Sequence, residues 1–415
     1  MAKKNPQELY NERWTRVTDA VALKRPDRVP LIPQIEAIPE YYSGITIKEA
    51  MYDYRKAGEA LDRFYVDFQP DLGWGPGLMY YAPAMESCGL KWLRWPGRGI
   101  EEAQQLYQFI EGEFMYAHEY DELIYDPTHF IQSKWIPRCF TKLKGLENLR
   151  LRDAIWGGFF GAFAAFANPE VIESLENLIK TGKQLVEWFT FCGEYETKLE
   201  SQMGFPIAVG GNGFAPFDQV GDTMRGTVNM MIDVLERPDK VLQAVEVMLP
   251  IALEAPIAAC RANGRKMVWI WLHKGVDEFM SVEQYRTFYW PTLQKMIVGL
   301  VDAGLIPVVY CEGSYNTRLE TLREVPKGKV VYDFENVDMF RAKDILGDVA
   351  CIAGNLPNAM LLYGGPDEVD RYCKKLIEGV GKDGGFMLDS GGLIDNAKVE
   401  NLRAMFDSVE KYGRA

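Results

Sequence analysis

Histidine is the scarcest chemistry-bearing residue in this chain: only three occur among 415 residues, at positions 118, 129 and 273. Imidazole is therefore scarce, and one at the end of a strand becomes informative. The seven cysteines are odd in number and irregularly spaced, and no C-x-x-C pair occurs. A disulfide framework is thereby excluded, and free thiols in a reducing cytoplasm are expected. No apolar run reaches the roughly 18 residues of a membrane span. The closest stretch, Met248 to Ala259, is broken by Pro and Glu. The opening MAKKNPQELYNERW lacks the apolar segment of a signal peptide. Positive charge is also short, with 46 Lys and Arg against 59 Asp and Glu, a net −13. That balance argues against broad nucleic-acid binding and against a polybasic membrane anchor. No G-x-G-x-x-G follows a first strand, which disfavours a dinucleotide-binding sheet.

What is present is an ordinary globular composition, 47% hydrophobic and 25% charged, enough to fill a large core. In the C-terminal half, β-rich runs near 267–273, 306–311, 329–334, 350–354 and 385–389 alternate with helical patterns at 282–303, 317–324, 339–346, 366–380 and 397–412. Nearly continuous apolar strands separated by helices predict parallel βα units. Ser281 with Gln284 reads as a capping box, Pro366 with Asp367 and Glu368 as a helix start, and Gly304 as a helix stop. Upstream, strands are expected near 29–34 and 205–210, helices over 45–64, 169–200 and 222–263, and a Gly/Pro/Trp/Tyr-rich ordered loop over 68–98. With one more strand in the N-terminal half, these close a (β/α)8 barrel. The whole of 1–415 is expected to form one such domain, elaborated over about residues 1–200.

Barrel active sites sit at the C-terminal ends of the strands, which selects candidates directly. These ends carry His273, Tyr310-Cys311-Glu312-Gly313, Asp333-Phe334-Glu335, Asn355 and Asp389-Ser390. Alternation places Tyr310 with Glu312 on one face of their strand, Asp333 with Glu335 on one face of theirs, and His273 with Trp271 and Trp269 on one face of theirs. His273, Glu312 and Glu335 form a plausible zinc set with an open fourth position. Asp338 reads better as the cap of the helix at 339, Cys311 as a packed thiol, and His118 and His129 as surface or packing residues. Trp74, Tyr80 and Tyr81 in WGPGLMYY either staple a small subdomain or cover a flat apolar ligand. Asn212 lies in GGNGFAPF, which brings backbone close to a ligand. Trp271, Phe334 and Asn355 complete the expected substrate-binding set.

Several segments together resemble methyltransferases of the uroporphyrinogen decarboxylase superfamily: KRPDRVPLIP, YYSGITIKEA, HEYDELIYDP, FMSVEQYRTFYWPTLQKMI, YCEGSYNTRLETLREVPKGKVV, IAGNLPNAMLLYGGPDEV and GGFMLDSGGLIDNAKVENLRAM. The resemblance implies a TIM barrel. The decarboxylases carry an Arg-containing RQAGR motif for substrate carboxylates, whereas this strand reads VPLIPQIEAIPEYY. The resemblance therefore implies the zinc-dependent branch that works with corrinoid proteins. Members of that branch place H-x-C-G where this chain has Tyr310-Cys311-Glu312-Gly313, and a further Cys about where Ser390 stands. An oxygen and nitrogen ligand set makes a harder Lewis acid, suited to an ether oxygen. The expected activity is thus transfer of a methyl group from an aryl methyl ether to the Co(I) corrinoid of a partner protein, with Tyr310 donating to the departing oxygen and a homodimer among the assemblies weighed. The alternatives are a decarboxylase, a non-catalytic corrinoid or tetrapyrrole binder, or a methyltransferase using methanol, methylamine or a methylthiol.

Overall fold

The structure is a computed structural model, and it describes residues 4–414. Six parallel strands form its central sheet in sequence order: Gly211–Phe214, Met267–Leu272, Ile306–Ser314, Val331–Asn336, Cys351–Leu356 and Phe386–Ser390. Two further extended segments close the ring. Leu31 bridges Leu388 in parallel, and Gly73 bridges Ile207. The Asp71 amide donates to the Leu31 carbonyl at 2.8 Å, joining these two segments to each other. The result is an eight-stranded TIM barrel. Pro30 and Pro33 lack the N–H groups that a regular ladder needs, so the first segment pairs through isolated bridges. The expected extra strand is the one at 71–74, inside the stretch read as a loop.

The barrel interior is filled from inward-facing positions. Trp74 packs on Trp269, whose ring stacks on Trp271, and Trp271 meets Tyr310 edge-on at 5.4 Å. This aromatic column rises to the mouth. Trp74 is 1% exposed, and the hydroxyl of Tyr65 donates to its carbonyl. It is therefore a core residue and not the ligand cover expected of it. Asp333 also points inward, accepting from Gln34 Nε2 at 2.8 Å. Alternation then turns Phe334 outward, stacked on Tyr332, whose hydroxyl donates to the Leu322 carbonyl beneath the helix layer. Phe334 thus cannot line the mouth, which corrects its placement in the substrate set.

Several helices depart from their expected bounds. The helix expected over 45–64 is two, Ile47–Tyr52 and Tyr54–Asp67, because Asp53 is extended and its side chain caps the second. Pro250 and Pro256 lie inside one continuous helix, Pro238–Asn263. That helix has the length and apolarity of a membrane span, yet Val241, Ala244, Val245, Met248, Ala252 and Cys260 form a buried stripe along it. Ser281, Asp338 and Pro366 start helices as predicted. The stretch 82–109 holds a short helix, Ala82–Cys88, and a small three-stranded sheet. There Tyr81 packs against Tyr54 at 5.1 Å in a satellite cluster with Trp188 and Cys192, which removes it from the expected substrate set. All seven cysteines are free and buried.

Candidate active site

The strand Met267–Leu272 delivers His273 to the barrel mouth. The buried Asp218 accepts the backbone N–H groups of both His273 and Lys274 at 3.0 Å and the hydroxyl of Tyr289. The turn after the strand is therefore fixed. His273 Nδ1 lies 2.6 Å from Asp222 Oδ2, and Nε2 faces Glu312 Oε2 at 3.6 Å. Lys274 Nζ holds the other Asp222 oxygen at 2.6 Å and contacts Thr227 Oγ1 at 2.6 Å and Glu111 Oε1 at 3.5 Å. Phe214 covers the imidazole with its ring 5.7 Å away.

Glu312 reaches this group through a local irregularity. The pairing of Ile306–Ser314 with Val331–Asn336 slips between Cys311 and Ser314. Gly313 takes φ +81 there, a conformation costly for residues with a Cβ. Its amide donates to Glu335 Oε2 at 2.5 Å. Tyr310 is buried among inward-facing carboxylates; burial and then the fields of Glu335 and Glu312 push its phenol well up. Its hydroxyl lies against Gly392, where a methyl group would sit 3.1 Å from it.

The electrostatics favour a proton on His273. Burial opposes the charge, but the hydrogen bond to Asp222 and the fields of Asp218, Asp222 and Glu312 outweigh it and raise the imidazole to about 9. Burial and then Asp222 raise Asp218 to about 6. For Asp222, burial is overcome by His273 and Lys274, and its carboxyl is lowered. Glu312 is raised by burial, opposed by His273 and reinforced by Glu335. Because the folded His273 lies above its unfolded value of about 6.5, its stabilisation is complete below that pH and is lost as pH rises through about 9. Replacing Asp222 with Asn is expected to bring the His273 titration down toward the ordinary histidine range. NMR titration of the three histidines reads this directly, and an unmoved curve in the variant excludes Asp222 as the cause.

Of the three residues expected to hold zinc, the structure brings His273 and Glu312 together and leaves Glu335 apart. His273 Nε2 and Glu312 face each other, and a carboxylate holds the other ring nitrogen, as metal-bound imidazoles require. Glu335 instead accepts the Gly313 amide. Among the described residues no group of three His, Cys, Asp or Glu side chains is placed to hold a metal ion. Trp271 is at the mouth, its indole donating to Asn212 Oδ1. Asn355 is held by Tyr372 and by the Val337 carbonyl. It lines a separate depression of about 530 Å³ with Asp338, Phe340 and Lys375, so it is not brought to His273.

A second acidic pair at the mouth escaped the sequence reading. Glu36 follows the first barrel segment, accepts the Tyr107 hydroxyl and shares a hydrogen bond with Asp395. Burial raises Glu36 to about 8, and Asp395 and Glu312 add to the effect. Tyr80 packs on Tyr107 at 4.8 Å and so belongs to this wall. Asp218, Asp222, Lys274 and Phe214 were also missed. Their only sequence signal is Asp218 and Asp222 at i and i+4 after the Gly-rich GGNGF, a spacing that puts both carboxylates on one helix face.

The sequence profile of the family described as "Uroporphyrinogen decarboxylase (URO-D)" matches residues 165–412. Curated relatives include the uroporphyrinogen decarboxylases of Aromatoleum aromaticum, 26% identical over 140 residues, and of Chlorobium phaeovibrioides, 26% identical over 137 residues. Each match covers 32% of this chain and 38% of the relative. Among solved structures, a methyltransferase from Methanosarcina mazei superposes with a TM-score of 0.60 at 15% identity, covering 96% of this chain and 98% of that one.

Proposed function

This chain belongs to the uroporphyrinogen decarboxylase family, and from that premise we propose that it is a methyltransferase that removes the methyl group of an aryl methyl ether and passes it to a partner corrinoid protein. The observation that carries this reading is the pair formed by His273 and Asp222, aimed across the mouth at Glu312. An imidazolium held this way is a proton donor beside an apolar platform of Phe214 and Trp271. Cleaving a methyl ether leaves the electron pair of the C–O bond on oxygen, and a proton delivered there stabilises the leaving group. His273 Nε2 supplies that proton, Asp222 holds Nδ1 and stabilises the charged ring, and Glu312 orients the Nε2 side. Tyr310, at the top of the aromatic column, positions the oxygen from below. Reduced cobalt carried by the partner would supply the methyl acceptor.

The wall opposite also favours this class. A polycarboxylate substrate needs cations at the mouth, and here the segment after the first barrel strand brings Glu36 against Asp395. A second reading rests on the geometry of His273. Zinc, when bound, would be held by His273 Nε2 and Glu312 and would supply Lewis acidity to the same oxygen. The test is demethylation of a guaiacol-type ether with a reduced corrinoid acceptor, run beside methanol, methylamine and methylthiol donors. The proposal expects turnover of the aryl ether that survives chelator dialysis. Activity that tracks one bound zinc favours the second reading. Carbon dioxide release from a porphyrinogen without any corrinoid acceptor overturns both.

A further inference from the structure

The acidic wall of the mouth is short of positive charge. Glu36 shares a hydrogen bond with Asp395, and the charges that act on it are those of Asp395 and Glu312. Glu40, four residues on, is 2% exposed, and its Oε2 has no partner. Burial raises the Glu40 carboxyl, and Glu36 is the charged group that adds to the effect, so the three carboxyls share one wall. Among the described residues no lysine or arginine acts on Glu36, Glu40 or Asp395. Other buried carboxylates of this chain are answered by cations: Asp71 by Arg16 and Arg28, and Asp222 by His273 and Lys274.

A buried carboxylate without a cation is costly. In the unliganded mouth a proton shared by Glu36 and Asp395 lowers that cost, and burial raises both groups accordingly. The rings beside the pair are of the kind that attracts an organic cation. Tyr107 donates its hydroxyl to Glu36. Tyr80 packs on Tyr107 at 4.8 Å with the planes at 63°, and Phe109 meets Tyr107 edge-on at 5.9 Å.

We propose that this wall is a cation subsite, in which Glu36 and Asp395 receive the ammonium group of a methoxylated aromatic amine while the methoxyl oxygen faces His273 Nε2. The inference rests on the ether chemistry proposed above and adds which ethers the mouth selects. An ammonium group supplies the missing positive charge, donates to both carboxyls and lies beside the Tyr80 and Tyr107 rings. A neutral hydroxyl in the same place makes a hydrogen bond and leaves the charge unanswered. A carboxylate meets like charge from Glu36, Asp395 and Glu312. It finds no free cation either, because His273 and Lys274 are already paired with Asp222.

Calorimetric titration of the full chain, without any corrinoid acceptor, tests this with three ethers built on one ring: 4-hydroxy-3-methoxyphenethylamine, 2-methoxyphenol and 4-hydroxy-3-methoxyphenylacetate. The amine is expected to bind about ten- to a hundredfold tighter than the neutral phenol, the usual worth of a hydrogen bond to a charged group, and the acetate more weakly than either. In Glu36→Gln and in Asp395→Asn the preference for the amine over the phenol should shrink about tenfold. Because each ratio is taken within one variant, a general loss of fold or of ring binding cancels from it. Equal binding of amine and phenol by wild type, or a ratio that both variants keep, overturns the subsite. Demethylation of the same three ethers separates this inference from the chemistry it rests on. An amine that binds preferentially and is never demethylated overturns the ether chemistry and leaves the subsite standing. Ethers demethylated without regard to charge do the reverse, and failure of all three to bind overturns both.

Discussion

Replacing His273 with alanine is expected to slow methyl transfer by about two to four orders of magnitude, the usual contribution of a positioned general acid. The argument is geometric first. Among the described residues His273 is the imidazole at the mouth, since His118 stacks on Tyr116 and His129 pairs with Ser133 within the N-terminal elaboration. Nδ1 is held by Asp222 at 2.6 Å while Nε2 faces Glu312 at 3.6 Å, beyond hydrogen-bond reach, so the ring is fixed and Nε2 keeps its proton available. The effect should fall on kcat more than on KM, because a proton delivered in the transition state does little for ground-state binding. The pH profile carries the same signature. With the imidazole raised to about 9, activity holds through neutrality and declines as pH rises through about 9, where the donor loses its proton. In Asp222→Asn that decline should move to lower pH. A variant lacking the imidazole that demethylates at the wild-type rate removes His273 as the proton donor, and the proposed chemistry with it.

The second large effect concerns stability. Asp71→Ala is expected to destabilise the fold by about 3–5 kcal/mol, the cost of stranding buried partner charges. Asp71 is fully buried and receives Arg16 Nη1 at 2.6 Å, Arg28 Nη1 at 2.7 Å and the Leu31 amide at 2.7 Å. These contacts fasten the N-terminal helix and the first barrel segment to the second, where regular pairing is sparse. The first segment carries Pro30 and Pro33, and the Asp71 carboxylate takes up the Leu31 amide in place of a ladder carbonyl. Denaturant unfolding of wild type and variant measures the difference. A loss below about 1 kcal/mol would be that of an exposed ion pair, and would mean that Asp27, already paired with Arg16, and Glu410, already paired with Arg28, hold the two guanidiniums by themselves.

The barrel was largely legible because its signals are local. Apolar runs of five or six residues, the capping box at Ser281 and the cap at Asp338 each act within a few positions. Asp71–Trp74 was the strand that could not be read, because it is too short to show a period and sits among glycines and prolines. The candidate site divides in the same way. His273, Tyr310 and Glu312 were found because a barrel rule places chemistry at strand ends. Asp218 and Asp222 were not found, because they belong to the helical turn after a different strand, and only the ring brings them beneath His273. Glu36 and Asp395 are still further apart in the chain, and they meet because the first and last barrel segments are neighbours.

Residue order thus fixed the composition of the mouth, an imidazole and several carboxylates at the ends of parallel strands, because strand ends and side-chain alternation are properties of short segments. Closure of the barrel decided which of them touch. It paired His273 with Asp222, gave Glu335 to the Gly313 amide, turned Phe334 to the helix layer and buried Trp74 beneath Trp269. Strand tilt, the slip at Gly313 and the curvature of the ring set those contacts, and each depends on all of the strands at once.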